Sequence, residues 1–143
     1  MPSLRTSLRA TSLFFGPIFI AFGVNAMLRS RHSLAFFPFP DPATSTSPAS
    51  QDFIELLDAL LVIYGARDIF MGIAILAAAT FGDREGRALG WIMAAAGAVA
   101  GVDGWVVRGF EAAGGNGGAR GGEWGHWGYA PVLGVVGGVL VGL

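Results

Sequence analysis

Arg67 and Asp68 are adjacent charged residues inside an apolar stretch, Leu60 to Thr80, that is long enough to cross a bilayer. A second apolar stretch contains Asp103. A charged side chain at membrane depth costs about 2.5–3.5 kcal/mol on insertion scales. Such residues therefore usually face a bundle interior, where they form ion pairs or take part in function. Carboxylates grouped with an arginine in this way point to acid–base chemistry.

One arginine cannot fully neutralise two carboxylates. We therefore expect Asp68 and Asp103 to differ in proton affinity, so that one acts as a base and the other as an acid, while Arg67 sets the difference and orients a leaving oxygen. Tyr64 shares a broad helix face with Arg67 and Asp68, and Tyr64 and His126 are predicted to be secondary proton donors. The structural alternative is that Arg67 pairs with one carboxylate only to neutralise charge and fix helix register.

Two further polar residues, Asn25 and Asp58, are predicted to bind substrate. Asp58 stands near the start of a helix, so solvated interaction with the helix dipole is its alternative role. His126 lies between Trp124 and Trp127, so it is equally well explained as an interfacial anchor.

These residues must be positioned by membrane helices. The chain has 143 residues, 53% of them hydrophobic and only 13% charged, against about 25% charged residues in soluble domains. Four apolar segments, at about 13–28, 60–79, 89–107 and 127–143, predict an all-α fold, a four-helix transmembrane bundle, in one integral membrane domain covering residues 1–143. Arg5 and Arg9 before the first segment also resemble the start of a signal peptide, but three further spans favour a retained helix.

The direction of the helices places most polar residues on one side of the membrane. In an alternating bundle, the end of the first helix, the start of the second, the end of the third and the start of the fourth lie together. Arg67 and Asp103 are about equally far from the short connection at residues 81–87, so they should lie at similar depth and meet. We expect a polar pocket above an apolar half of the bundle.

Composition also excludes several classes of function. The chain has no Cys, and its two His, His32 and His126, lack the spacing of a zinc site, so we expect no metal and no cofactor. The net charge of −1 gives no electrostatic basis for nucleic-acid binding. The predicted partners are membrane lipid and a lipophilic small-molecule substrate.

Small residues recur every four positions in the last two helices. The rows are Gly97 with Gly101 and Ala96 with Ala100 and Gly104 in the third helix, and Gly134, Gly138 and Gly142 in the fourth. Such rows allow close helix packing, within the bundle or, as the alternative, across a homodimer.

The chain resembles a family of small four-helix integral membrane proteins, the domain of unknown function DUF4267. The residues that carry the resemblance are Gly65-Ala66-Arg67-Asp68, Gly72, Asp83-Arg84, Ala88-Leu89-Gly90, Asp103 and His126. The resemblance implies the fold over nearly the whole chain. For function it implies only, by association with secondary-metabolite biosynthesis, a hydrophobic small-molecule substrate.

Together these features predict a small multi-pass membrane enzyme or auxiliary. It would act on a lipophilic metabolite as a cofactor-independent hydrolase, isomerase or cyclase, through epoxide hydrolysis, isomerisation or cyclisation. The alternative is a non-catalytic membrane protein for small-molecule binding, transport or partner assembly. The endoplasmic reticulum is the default membrane if the source is eukaryotic, because no lipidation, retrieval or transit signal is recognised.

Overall fold

A computed structural model describes the chain at residues 3–34, 51–112 and 122–142, with side chains described at 3–34, 51–109 and 128–142. These residues form five helices and no strand: α1 (Leu4–Leu28), α2 (Ser30–Ser33), α3 (Gln51–Phe81), α4 (Arg87–Ala112) and α5 (Gly122–Gly142). The expected all-α bundle is confirmed. The Pro-rich segment at residues 35–50 and the Gly-rich segment at residues 113–121 lie outside the described residues.

Three of the described helical stretches are long and apolar enough to cross a membrane: Leu4–Leu28, Gln51–Phe81 and Arg87–Gly109. The shorter apolar stretch Gly128–Gly142 completes the set. The expected integral membrane character is therefore supported. The helices extend beyond the apolar segments, because polar turns continue them. For example, α1 starts after Ser3, whose side chain accepts a hydrogen bond from the Thr6 backbone N–H at 3.3 Å.

α1 and α3 pack as an antiparallel pair in which the backbones touch at two levels. Gly16 lies against Gly72, and Gly23 lies against Gly65. A Cβ atom on Gly23 would stand 2.8 Å from the backbone nitrogen of Ile69, so no larger residue fits without moving a helix. These contacts explain why glycine occurs at a seven-residue interval in both helices.

α4 and α5 form a second antiparallel pair, which is also held by close contacts at glycine residues. A Cβ on Gly90 would lie 2.9 Å from the Gly137 carbonyl oxygen, and a Cβ on Gly97 would lie 2.8 Å from the Gly134 nitrogen. Gly97 therefore serves helix packing within the bundle. A Cβ on Gly101 would meet no atom within 4 Å, so the four-residue row that begins at Gly97 is not the contact row. A Cβ on Gly138 or Gly142 would likewise meet no described atom within 4 Å, whereas Gly134 contributes its backbone to the contact with Gly97.

An apolar core joins the two helix pairs on the side of the α3–α4 connection. Its fully buried members include Ile75, Leu89, Met93, Leu133 and Leu140. The expected apolar half of the bundle is therefore present, and the charged residues of α3 and α4 lie beyond it.

The connection at residues 82–86 fixes the register of α3 against α4. Asp83 begins α4 by accepting hydrogen bonds from the backbone N–H groups of Arg87 and Ala88, at 3.0 and 3.1 Å. These bonds lower the pKa of the Asp83 carboxyl below its usual value. Gly86 has φ +78°, a left-handed conformation that favours glycine, and the Arg9 guanidinium of α1 donates to the Asp83 carbonyl oxygen.

Candidate functional site

Arg67 of α3 and Asp103 of α4 form a two-pronged ion pair between the helix pairs. The Arg67 Nη2 atom lies 2.8 Å from one Asp103 oxygen, and Nη1 lies 3.3 Å from the other. This parallel geometry is the strong form of an arginine–carboxylate contact. The equal depths expected from the sequence thus bring the two residues together.

Asp68 is the second carboxylate beside the same guanidinium. Its side chain is only 5% exposed, and one of its oxygens lies 3.5 Å from Arg67 Nη2. Asp103 is also largely buried, whereas Arg67 retains partial access. Two carboxylates therefore share one cation, and Asp68 has the weaker contact with it.

Tyr64 and Tyr129, the only tyrosines of the chain, both flank this group. The Tyr64 ring lies under the guanidinium, with its centroid 4.3 Å from the Arg67 Cζ atom, and its hydroxyl is within hydrogen-bonding reach of Asp68. Tyr129 of α5 is close enough to interact electrostatically with Asp68 and Asp103. We call Tyr64, Arg67, Asp68, Asp103 and Tyr129 the membrane cluster.

Tyr129 is not among the site residues predicted from the sequence. The tyrosine packs edge-on against Phe19 of α1, with ring centroids 6.1 Å apart, so it also touches the first helix pair. A usable signal was present in the sequence: a phenol two residues after the predicted start of the fourth helix lies on the side of the membrane expected to be polar.

Arg67 has one donor that the cluster does not use. Its Nε atom is buried and lacks a hydrogen-bond partner among the described residues. A buried donor without an acceptor is costly, and a bound oxygen atom would satisfy it. The Nε–H group of Arg67 is thus a donor that an additional acceptor could use beside Asp68 and Asp103.

Two of the other predicted site residues, Asp58 and Asn25, have their described contacts outside the cluster. Asp58 accepts a hydrogen bond from the Ser30 hydroxyl at 2.8 Å and lies 3.4 Å from Arg31, so it ties α2 to α3. Asn25 lines a groove on α1. His126 lies in α5, with its side chain outside the described set.

The described residues contain no group of three His, Cys, Asp or Glu side chains that could hold a metal ion. The residues of the cluster also offer no cradle of backbone N–H groups for a phosphate, since they lie within helices. What they can do is donate, accept and move protons.

Comparison with known proteins bears on the family alone. No curated protein and no solved structure matches the chain. The family described as "Domain of unknown function (DUF4267)" matches residues 16–140, a range that includes α3, α4 and the complete membrane cluster. The chain therefore belongs to the DUF4267 family.

Proposed function

We propose that this protein is a membrane enzyme that acts on a lipophilic small molecule by acid–base chemistry without a cofactor. The observation that supports the proposal best is the sharing of one guanidinium by a buried and a largely buried carboxyl, Asp68 and Asp103, 3.5 and 2.8 Å from the same Arg67 nitrogen. Such a pair can divide a single proton between an acid and a base.

The geometry suggests different tasks for the two carboxyls. Both oxygens of Asp103 accept from Arg67, which favours its ionised form and fixes its position. Asp68 makes one longer contact and keeps accepting capacity for another partner. Asp68 is therefore the carboxyl that exchanges its proton most readily with a substrate, with the Tyr64 hydroxyl beside it.

Epoxide hydrolysis illustrates how the parts would work together. The acid, Asp68, gives its proton to the epoxide oxygen while the carbon–oxygen bond breaks, and Arg67 Nε–H donates to the same oxygen. The base, Asp103, takes a proton from water as the water oxygen bonds to carbon. Proton transfer from Asp103 back to Asp68 restores both groups, and the net change is addition of water. In isomerisation or cyclisation, the same acid protonates an epoxide or alkene, and the base removes a proton from carbon.

The substrate class follows from the surroundings. The cluster lies in helices whose exposed side chains are largely apolar, including Ile63, Phe70 and Trp105. A molecule that reaches it from the bilayer must be lipophilic, with at least one oxygen for Arg67. A place in secondary-metabolite biosynthesis agrees with such a substrate, and residues 1–143 would act as one membrane domain.

A non-catalytic role is the second candidate, and one observation favours it. Gly contacts hold α1 to α3 and α4 to α5, whereas the Arg67–Asp103 ion pair crosses between the pairs. The cluster would then fix the pairs together in a protein for small-molecule binding, transport or partner assembly. The open faces of Gly138 and Gly142 would be available to a second copy.

Metabolite comparison distinguishes the two roles. Organic extracts of a strain lacking the chain would be compared by mass spectrometry with extracts of that strain restored with wild type, Asp68→Asn or Asp103→Asn. Asp52→Asn is the matched control, because Asp52 is exposed in the first turn of α3. The enzyme proposal expects a precursor that accumulates with Asp68→Asn and Asp103→Asn and disappears with wild type and Asp52→Asn.

The mass difference between precursor and product would identify the reaction, since hydration adds one water and isomerisation adds nothing. Membrane levels of each variant must be equal for the comparison to count. Extracts that are identical across all strains, or a precursor that clears equally with Asp68→Asn, would overturn the enzymatic role of this cluster.

A further inference from the structure

A groove runs along α1 on a face separate from the membrane cluster. Its volume is about 560 Å³. Most of its lining is apolar, and Leu76 of α3 contributes beside residues of α1. The α1 residues that line it are Pro17, Ile20, Ala21, Val24, Asn25, Leu28 and Arg29.

The polar residues of the groove are concentrated at one end. Asn25 and Arg29 are four residues apart, about 6 Å along the helix axis, and Arg29 caps the end of α1. The Arg29 backbone N–H bonds to the Asn25 carbonyl oxygen at 2.8 Å, which fixes the spacing of the two side chains. The groove therefore has a long apolar part and a short cationic end.

Neither polar side chain is used by the fold. The Asn25 Nδ2 atom is buried and has no hydrogen-bond partner among the described residues. The Arg29 side chain is exposed and forms no ion pair within the described part of the chain, whereas Arg31 pairs with Asp58. Asn25 contributes to the lining of the groove, and a half-turn about χ2 exchanges the positions of its amide oxygen and NH₂ group.

The order of groups along the groove, a cation, an amide and then an apolar surface, matches one class of molecule. A phospholipid carries a phosphate at the membrane surface, ester carbonyls one helical turn deeper and an acyl chain below them. Arginine at the end of a membrane helix extends to the headgroup level, where it attracts anionic lipids. With Arg29 at the headgroup level, Asn25 would lie one helical turn deeper, at the level of the esters, and Ala21 one turn below it, beside the acyl chain.

We propose that this groove binds a phospholipid with an anionic headgroup. Arg29 pairs with the phosphate, Asn25 donates to an ester carbonyl oxygen, and the acyl chain lies over Ala21 toward Pro17. The site is independent of the proposed catalysis, since no residue of the membrane cluster lines the groove.

Lipid retention by the purified full-length protein tests this site. Protein in mild detergent would be given equal amounts of phosphatidylglycerol and phosphatidylcholine, and the retained lipid would be counted by native mass spectrometry. Wild type should retain one phosphatidylglycerol in preference to phosphatidylcholine. Arg29→Gln should lower that preference about fivefold, the effect of one arginine near an anionic headgroup.

Two matched variants separate this site from general charge and general apolar effects. Arg108→Gln removes an exposed arginine of α4, and Ala98→Phe enlarges an exposed alanine outside the groove. Both should leave retention unchanged. Ala21→Phe should fill the groove and abolish retention of both lipids, while the helix content in circular dichroism stays at the wild-type level.

Three results would each overturn the proposal. They are equal retention of the two lipids by wild type, an equal loss of preference in Arg29→Gln and Arg108→Gln, and full retention by Ala21→Phe. If free phosphate is the true ligand, inorganic phosphate should displace phosphatidylglycerol from the protein. Ala21→Phe should then retain phosphatidylglycerol as well as wild type does.

Discussion

Replacement of Asp103 by Asn should destabilise the bundle more than replacement of Asp68. Asp103 accepts two charge-assisted hydrogen bonds from Arg67, at 2.8 and 3.3 Å, whereas Asp68 has one contact at 3.5 Å. Breaking a buried ion pair costs about 3–5 kcal/mol. Here the Arg67 side chain is 35% exposed and Asp68 remains nearby, which reduces the loss. We therefore expect Asp103→Asn to lower the free energy of unfolding by about 2–3 kcal/mol.

Asp68→Asn should change the free energy of unfolding by less than about 1 kcal/mol, because Asp68 makes only one long contact with Arg67. The assay is reversible unfolding in mixed micelles, followed by far-ultraviolet circular dichroism. Asp52→Asn is the exposed control and should stay within about 0.5 kcal/mol of wild type. In an Arg67→Met background, the cost of Asp103→Asn should disappear, since its partner is already gone.

The reasoning is refuted if Asp68→Asn costs as much as Asp103→Asn. It is also refuted if Asp103→Asn remains equally costly in the Arg67→Met background. Either result would mean that the two-pronged contact is not what links α3 to α4.

Four further substitutions test the helix packing, the start of α4 and the link between α2 and α3. Gly23→Ala should lower the free energy of unfolding by about 1–3 kcal/mol, since its Cβ meets the α3 backbone. Gly138→Ala should be neutral or stabilising by about 1 kcal/mol. Thermal unfolding of both variants in detergent measures the difference. The pKa of Asp83 is lowered by the backbone N–H groups that begin α4, so its stabilisation is complete above about pH 4 and is lost as the pH falls below that value. Asp83→Ala should therefore unfold at a temperature that depends less on pH below about 4, as measured by scanning from pH 5 downward. Asp58→Asn should cost less than about 1 kcal/mol, because its ion pair with Arg31 is solvent-exposed, and should raise amide hydrogen exchange in α2.

The sequence was sufficient to predict the long helices and the contact between Arg67 and Asp103. Apolar segments of spanning length determine the first, and the short connection at residues 82–86 determines the second, because it sets both residues at similar distances from one turn. No such connection relates α5 to α3. The place of Tyr129 beside the carboxylates therefore depended on packing that chain distance does not specify.

Helix faces in a membrane are harder to read than in a soluble bundle, since lipid and core are both apolar. Of the predicted four-residue rows, Ala96, Ala100 and Gly104 are buried, whereas a Cβ on Gly101 or Gly138 would meet no described atom within 4 Å. The true contacts pair Gly90 with Gly137 and Gly23 with Gly65, across helices. A seven-residue interval shared by α1 and α3 was the available signal.

The composition of the membrane cluster separates a structural link from a site of chemistry. One arginine and one carboxylate suffice to join the two helix pairs, and Arg67 with Asp103 already does so. The second carboxyl, Asp68, is a buried polar group that the link does not need, and burying a polar group is unfavourable unless something offsets it. Both phenols of the chain lie beside it as well. Substitution of Asp68 therefore distinguishes the structural role from the catalytic role. A protein in which the cluster only links the helix pairs tolerates the loss of Asp68, whereas acid–base catalysis does not.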